Sequence, residues 1–540
     1  MGVLRILNQT VLHRPLSETV GAHAWDNDWY QYNLCHDYVG YKLMQDIGLK
    51  YVRTGIMLKS VQTGPNEYDF SGIEGYLIGC EKYGLQPLVY FQAGSPTWRG
   101  ELSYTDALAD DYEIALACIK HFARRGIIWE ACNEAGYQNF WFGKNSYKES
   151  GATVTLDKQT ISDWVNLNRF IGKMVKKHDP TGQFVNGATA TGFKNTHDHY
   201  NAWGTMMDYA GSLGAFETGD LNSQHPYAEY LMPEVWLKNV SDPHSQLLQM
   251  QGLMEKYHNY LPQIVTEQGF KTDISGTSGQ ANLIARSILV LDMLNVPIDI
   301  IFNFAAAKNY EGWALVDGPD NDLAERASAK MLASLLSTLK GTTLAHFDTK
   351  DDSSYTLFYQ GLSGKYIVYW TTATAHSDSY NGVTLNLTAT PQVIKLNGTW
   401  QFYDNYDNIQ QVIHDLNECA SLTHGALIDI VNRLHDWVKP YRVPDLTPIS
   451  TGNYNRQAYY QIGVLIQELE FQFNGVVDYL NAGGVHGKKT YIRPQRVKLN
   501  VPEGLQFSHD YIEVLKGNNR RLTDRIVILQ KILKENGLLP

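Results

Sequence analysis

Short apolar runs bounded by turn-forming residues alternate with longer amphipathic stretches over roughly residues 19 to 341. Eight of the runs read as strands: "TVGAHAW" (19–25), "KYVRTGI" (50–56), "QPLVYFQ" (86–92), "GIIWEAC" (126–132), "QFVNGAT" (183–189), "GDLNSQH" (219–225), "PQIVTEQ" (262–268) and "IDIIFNF" (298–304). The sixth is the most polar and is placed partly because the repeat requires a strand there. Between them, "YVGYKLMQDIG" (38–48), "YEIALACIKHFARR" (112–125) and "ISDWVNLNRFIGKMVKKH" (161–178) repeat apolar residues at three and four, as helices do. Eight strand-then-helix units predict a (β/α)8 TIM barrel over residues 1–341, closed by the helix "LAERASAKMLASLLSTLKG" (323–341).

Beyond residue 341 the period changes to two. "SSYTLFYQ" (353–360), "KYIVYWTT" (365–372) and "TWQFYD" (399–404) alternate and predict a small antiparallel β-sandwich domain over 342–407. Residues 408–540 read as a mostly helical C-terminal module. There Leu515, Leu522 and Leu529 recur every seven residues with Asn519, Ile526 and Leu533 between them. Packing within its own domain is the plainer reading of that repeat; a short coiled coil making a homo-oligomer is the other.

Composition narrows the partners. Of 540 residues 44% are hydrophobic, and the net charge of -11 comes from interspersed acids and bases, which argues against a nucleic-acid groove and an anionic membrane. The 34 Tyr and 12 Trp suit sugar faces, although core packing accounts for most of them. Five cysteines without C-x-x-C spacing indicate neither a disulfide framework nor a zinc site, and no metal or other cofactor is expected. The N-terminal stretch lacks a signal-peptide pattern, so the expectation is cytoplasmic synthesis, with virion association or release by lysis as a further setting.

In such a barrel the reactive groups stand at the C-terminal ends of the strands. Strands four and seven both end in a glutamate, Glu134 and Glu267, on arcs that face each other across the barrel mouth. Two carboxylates converging on one cleft suit glycoside hydrolysis, against the bland reading of each as a helix cap or ion-pair member. Arg53, ending strand two, is placed to hold a carboxylate ionised, and His225 and Tyr227 after strand six offer hydrogen bonds. Trp313 is a candidate stacking floor, with Trp98, Trp25, Trp141 and Trp203 as loop-borne alternatives. By alternation Glu130 lies one layer below Glu134; it either supports Arg53 from a buried position or meets solvent if the strand bends. "HDH" (197–199) has no third metal ligand at useful spacing and reads as loop.

These residues resemble a known group. "WEACNEAG" is similar to the acid/base motif of the clan A glycoside hydrolases, in which Asn then Glu close strand four, and "IVTEQGF" resembles their strand-seven nucleophile motif. The resemblance spans about residues 18 to 340, and "FYDNYDN" (402–408) resembles the last strand of the β-sandwich that accompanies the barrel in family 39 and some family 5 members. It implies Glu134 as proton donor, Glu267 as nucleophile, Asn133 as partner of the sugar 2-hydroxyl, and Arg53, His225, Tyr227 and Trp313 as the supporting shell. The flank "EAGYQ" departs from the usual one, no xylosidase, cellulase or mannanase signature is readable, and about 130 C-terminal residues have no counterpart. The expected function is a retaining glycosidase acting on an oligo- or polysaccharide, either a cytoplasmic enzyme or a phage-tail depolymerase. The alternative is a non-catalytic sugar-binding or virion-type structural protein.

Overall fold

The computed structural model describes residues 15–24, 38–137, 139–150, 153–187, 197–228, 232–237, 245–257, 261–307, 310–318, 321–350, 352–361, 363–380 and 383–396. Eight parallel strands close into a barrel in sequence order: β1 (Val20–His23), β2 (Tyr51–Met57), β3 (Gln86–Gln92), β4 (Ile128–Cys132), β5 (Gln183–Asn186), β6 (Leu221–Gln224), β7 (Gln263–Gln268) and β8 (Asp299–Ile301). β1 pairs with both β2 and β8, which shuts the ring. The strands are followed in turn by α1 (Val39–Ile47), α2 (Ser71–Tyr83), α3 (Tyr104–His121), α4 (Lys158–His178), α5 (His197–Ser212), α6 (Gln246–Lys256), α7 (Thr272–Met293) and α8 (Ala327–Thr338). The (β/α)8 expectation therefore holds. The polar sixth segment is a strand because each side chain finds a place: Leu221 enters the inner core, Ser223 donates to Glu130, and Gln224 accepts from Gln246. "HDH" is not loop but the first turn of α5.

Both faces of the barrel strands are buried, which is why they read as apolar runs. Tyr51, Leu88, Ile128, Val185, Leu221, Ile264, Ile298 and Ile300 fill the interior below the active end. Val52, Val89, Phe91, Trp129, Phe184 and Val265 point outward into the core shared with the helices. Each such side chain, fully buried, contributes about 1.5–3 kcal/mol. Helix ends follow local chemistry: the Ser103 and Asp157 side chains accept from the amides of Asp106 and Thr160 to start α3 and α4, and left-handed Gly48 and Gly84 stop α1 and α2.

Alternation breaks at two places, both next to the candidate acids. Against β3, the register of β4 slips between Glu130 and Cys132, so that Ala131 and Cys132 both pack into the outer core. The Cys132 amide donates to the Asn168 side chain of α4. Against β8, β7 slips between Val265 and Gln268. A bulge of this kind re-aims the residues that follow it.

Downstream come β9 (Thr342–Lys350), β10 (Ser354–Gly361), β11 (Gly364–Thr371), β12 (His376–Tyr380), β13 (Val383–Leu387) and β14 (Gln392–Leu396). They form a four-stranded antiparallel sheet, β9-β10-β11-β14, and the hairpin β12-β13. The sheet is tied to the barrel at buried polar points: Trp370 Nε1 donates to Glu234 Oε1 at 2.7 Å, and Tyr359 donates to Asp292 at 2.7 Å. Among the described residues no helix is long and apolar enough to cross a membrane. The strand expected at 399–404, the helical module 408–540 and its leucine repeat lie outside the described residues.

Candidate active site

Arg53 is the hub. It is fully buried in β2, with its guanidinium 4.1 Å from the centre of the Tyr90 ring of β3. Gly55 makes that arrangement fit, because a Cβ there would collide with the Tyr90 ring. Arg53 Nε donates to Glu130 Oε2 at 2.6 Å, Nη1 to Glu267 Oε1 at 2.5 Å and Nη2 to Asn133 Oδ1 at 2.7 Å. One planar cation thereby fixes three acceptors from β4, the turn after it, and β7. Glu130 also accepts from Ser223 at 2.8 Å and Thr266 at 2.7 Å, so of its two sequence readings the buried support is the one observed.

The two bulges explain how neighbouring residues meet at one point. After the slip in β4, Asn133 reaches Arg53 while Glu134 turns toward His225 with a left-handed φ of 44°. A non-glycine residue held there stores strain that the surroundings must offset, a condition concentrated at functional sites. In β7, Thr266 and Glu267 are adjacent, yet one binds Glu130 and the other Arg53.

Glu134 and Glu267 are 2% and 7% exposed. A carboxylate oxygen of each and a ring nitrogen of His225 all lie within 4.8 Å of one another. Their partners differ. Glu134 Oε1 is 2.8 Å from His225 Nδ1. Glu267 has Arg53 on Oε1 and accepts the Tyr227 hydroxyl on Oε2 at 2.7 Å. Burial pushes the Glu134 carboxyl above its ordinary value and the nearby Glu267 charge adds to this, with His225 and Arg53 opposing. For Glu267 burial acts in the same upward sense but is overcome by His225, Arg53 and the His23 hydrogen bond, which hold it well below the usual carboxylate range. Burial and the charges of both acids push the Tyr227 phenol well up, so it stays a donor, and burial lowers the His23 imidazole.

A cavity of about 330 Å³ opens over these groups, lined among others by Asn133, Glu134, Tyr227, Glu267 and Trp313. That volume is at the small end of ligand pockets. Trp313 meets the Tyr227 ring edge-on at 5.4 Å, which leaves an aromatic wall beside Glu267. Arg53 and His225 lie behind the lining, each fully buried. Trp98 does not belong: it sits on a short turn (Thr97–Arg99) beyond β3, is 41% exposed, and is not part of the cavity lining. Trp141 and Trp203 are fully buried packing residues, and Trp25 is outside the described residues. Sequence reasoning passed over His23, Tyr90 and Phe302, which all line the cavity. The first two occupy inward positions near the active end of their strands, a signal that the pattern already carried. Glu134, His225 and Glu267 are also the group of described residues nearest to a metal-ligand set, but their facing atoms are engaged with one another and with Arg53 and Tyr227.

The sequence matches no protein-family model and no curated protein. Among solved structures, a family 39 glycoside hydrolase from Bacteroides cellulosilyticus is similar with a TM-score of 0.51 and 18% identity, over 71% of this chain and 81% of that one. A glucosidase from Croceicoccus marinus follows at a TM-score of 0.46 and 12% identity (71% and 81% covered), and a family 1 β-glucosidase from Thermotoga maritima at 0.43 and 10% (61% and 99%). The likeness to the family 39 enzyme is one of fold, and function must come from the site itself. The chain shares its (β/α)8 fold with that family 39 glycoside hydrolase.

Proposed function

We propose that the chain is a retaining glycoside hydrolase in which Glu134 is the general acid and base and Glu267 the nucleophile. The observation that carries this reading is the opposite treatment of two buried neighbouring acids: Glu134 meets the His225 imidazole and is pushed up by burial, whereas Glu267 is bound by the Arg53 cation and the Tyr227 hydroxyl and is held down. An acid that must donate a proton and one that must attack as a carboxylate need that difference. Oxygens within 4.8 Å of each other support retention, for which about 5–5.5 Å between carboxyl groups is usual, over inversion, which needs roughly 6.5 Å or more for an intervening water. In the first step Glu134 protonates the glycosidic oxygen, the bond from that oxygen to the anomeric carbon breaks, and Glu267 bonds to the carbon. In the second, water attacks that carbon, its proton goes to Glu134, and Glu267 leaves. Tyr227 and Arg53 hold Glu267 in line, and Asn133, on the cavity wall, is the partner of the 2-hydroxyl in this reading.

A sugar-binding scaffold without activity is the competing reading, and binding alone has no need of two acids of opposed proton affinity. The assay is incubation with aryl β-glycosides and bacterial exopolysaccharides, followed by detection of new reducing ends. Parent protein should release sugar and Glu267→Gln should not. A 2-deoxy-2-fluoro glycoside with a good leaving group should add one sugar mass to the peptide that contains Glu267. An inverted anomer as first product, seen by NMR, would overturn the mechanism.

A further inference from the structure

Behind Glu134 a chain of hydrogen bonds runs deeper into the barrel than the reaction itself requires. His225 uses both ring nitrogens: Nδ1 is 2.8 Å from Glu134 Oε1 and Nε2 is 3.1 Å from Thr266 Oγ1. Thr266 Oγ1 is also 2.7 Å from Glu130 Oε1. A hydroxyl has a single hydrogen to give. Glu130 is the nearer acceptor and an ionised one, since its other oxygen is bound by Arg53 at 2.6 Å, so the hydrogen goes to Glu130. Toward His225 the threonine then presents only a lone pair, and the hydrogen between them must sit on Nε2. Every group in this chain is buried: Thr266, His225 and Glu130 have no exposed surface, so water cannot substitute for a missing partner.

We propose that Thr266 is a positioning residue: by committing its hydroxyl hydrogen to Glu130 it holds the His225 hydrogen on Nε2, leaving Nδ1 and the Glu134 carboxyl to share one exchangeable proton. This rests on the reading of Glu134 as acid and base. In the first half-reaction the shared proton moves to the glycosidic oxygen, which keeps the electron pair of the breaking bond. The Glu134 carboxylate and Nδ1 are then two lone-pair groups 2.8 Å apart with no hydrogen between them. Their repulsion raises the proton affinity of the pair, so Glu134 takes a proton from the water that attacks the anomeric carbon as the bond from that carbon to Glu267 breaks. The proton belongs to the pair rather than to either group alone. The other titratable groups packed around it are Glu267 of β7, Tyr227 after β6, Arg53 of β2 above Tyr90 of β3, Glu130 of β4 and His23 of β1. Of these only Glu130 is bonded to the Thr266 hydroxyl, and it keeps Arg53 and Ser223 when that hydroxyl is removed.

Thr266→Val is the test, with Thr266→Ser as the control that restores the hydroxyl. Without an acceptor at Nε2 the imidazole moves its hydrogen to Nδ1, donates it to ionised Glu134, and so stabilises the deprotonated pair. The basic limb of the kcat/KM pH profile should move to lower pH by about 0.5–1 unit in the valine variant and return in the serine variant. Two-bond proton–nitrogen spectra of histidine-labelled protein, with the His225 signal assigned by its loss in His225→Gln, should show Nε2–H in the parent and Nδ1–H in the valine variant. Nδ1–H in the parent, or an unmoved basic limb in a folded valine variant, would overturn the proposal. If Thr266→Val fails to fold, the parent spectrum decides alone. The tautomer is read without substrate, so a wrong tautomer defeats this proposal and spares the glycosidase reading. Absence of hydrolysis on every sugar defeats that reading, and with it the catalytic half of the proposal.

Discussion

Arg53 Nη1 lies 2.5 Å from Glu267 Oε1, and the remaining nitrogens of the same guanidinium hold Glu130 and Asn133. Lysine carries its three donors on one nitrogen and lacks the planar fork, so it cannot meet acceptors aligned on three separate nitrogens. Arg53→Lys should therefore lower kcat/KM on the order of 100-fold, the cost of losing one aligned donor. It should also move the acidic limb of the pH profile upward, because Glu267 loses the aligned guanidinium donor that helps keep it ionised. A profile with an unmoved acidic limb would contradict the role given to Arg53.

The sign of the pH dependence follows from the two acids. Activity needs Glu267 ionised and Glu134 protonated. With Glu267 held well down, the rate survives acidification until that low pKa is reached; with Glu134 pushed up, it is lost as pH rises through the raised one. Glu134→Gln should abolish the basic limb, keep kcat/KM for aryl glycosides with strongly acidic leaving groups while lowering their kcat, because the second step has lost its base, and lose about 100-fold or more in kcat/KM on poor leaving groups, for which proton donation contributes most. Steady-state kinetics across a leaving-group series is the measurement.

The sequence carries the barrel because strands buried on both faces must be apolar throughout, and runs such as "QPLVYFQ" have no other use. Glu134 and Glu267 were legible for the complementary reason, charge where an apolar run ends. The bulges were not legible. Alternation assumes an unbroken pleat and would set Asn133 on the face opposite Glu130, whereas the slip in β4 brings both to Arg53. The slip in β7 does the same for Glu267, which alternation would set outward with Val265 but which reaches Arg53. Trp98 fails as a candidate since an aromatic residue in a loop takes its place from the path of that loop, which no periodicity records.

Asp299 gives a stability prediction with a defined window. It is buried in β8, accepts only a 3.3 Å hydrogen bond from Gln268, and burial raises its pKa to about 8, with that bond pulling the other way. Its unfolded value is near 3.9, so between about pH 4 and pH 8 the folded state binds a proton that the unfolded chain does not. Stability from this group is full below the unfolded pKa and falls as pH rises, by about 1.4 kcal/mol per unit, until the folded pKa is passed. Asp299→Asn, neutral throughout, should remove that slope. Thermal melts of parent and variant should diverge from pH 5 to pH 8 in favour of the variant, and parallel curves would refute the assignment.

The last prediction concerns the joint between barrel and sheet. Glu234 accepts from Arg286 Nε at 2.7 Å and Nη2 at 2.5 Å and from Trp370 Nε1 of β11 at 2.7 Å, with Arg286 on α7. All three are buried, Arg286 at 1% exposure and Trp370 at 0%. Glu234→Ala strands a guanidinium and an indole N–H in the interior, and the loss should be about 3–5 kcal/mol by denaturant titration, the usual cost of breaking a buried pair. Removing both charges is a different matter, because the desolvation of the cation disappears with it. Glu234→Leu with Arg286→Leu should recover most of the lost stability, leaving chiefly the unpaired Trp370 N–H, worth about 1–3 kcal/mol. Strict additivity of the two single changes would mean that the ion pair contributes nothing to holding the sheet against the barrel.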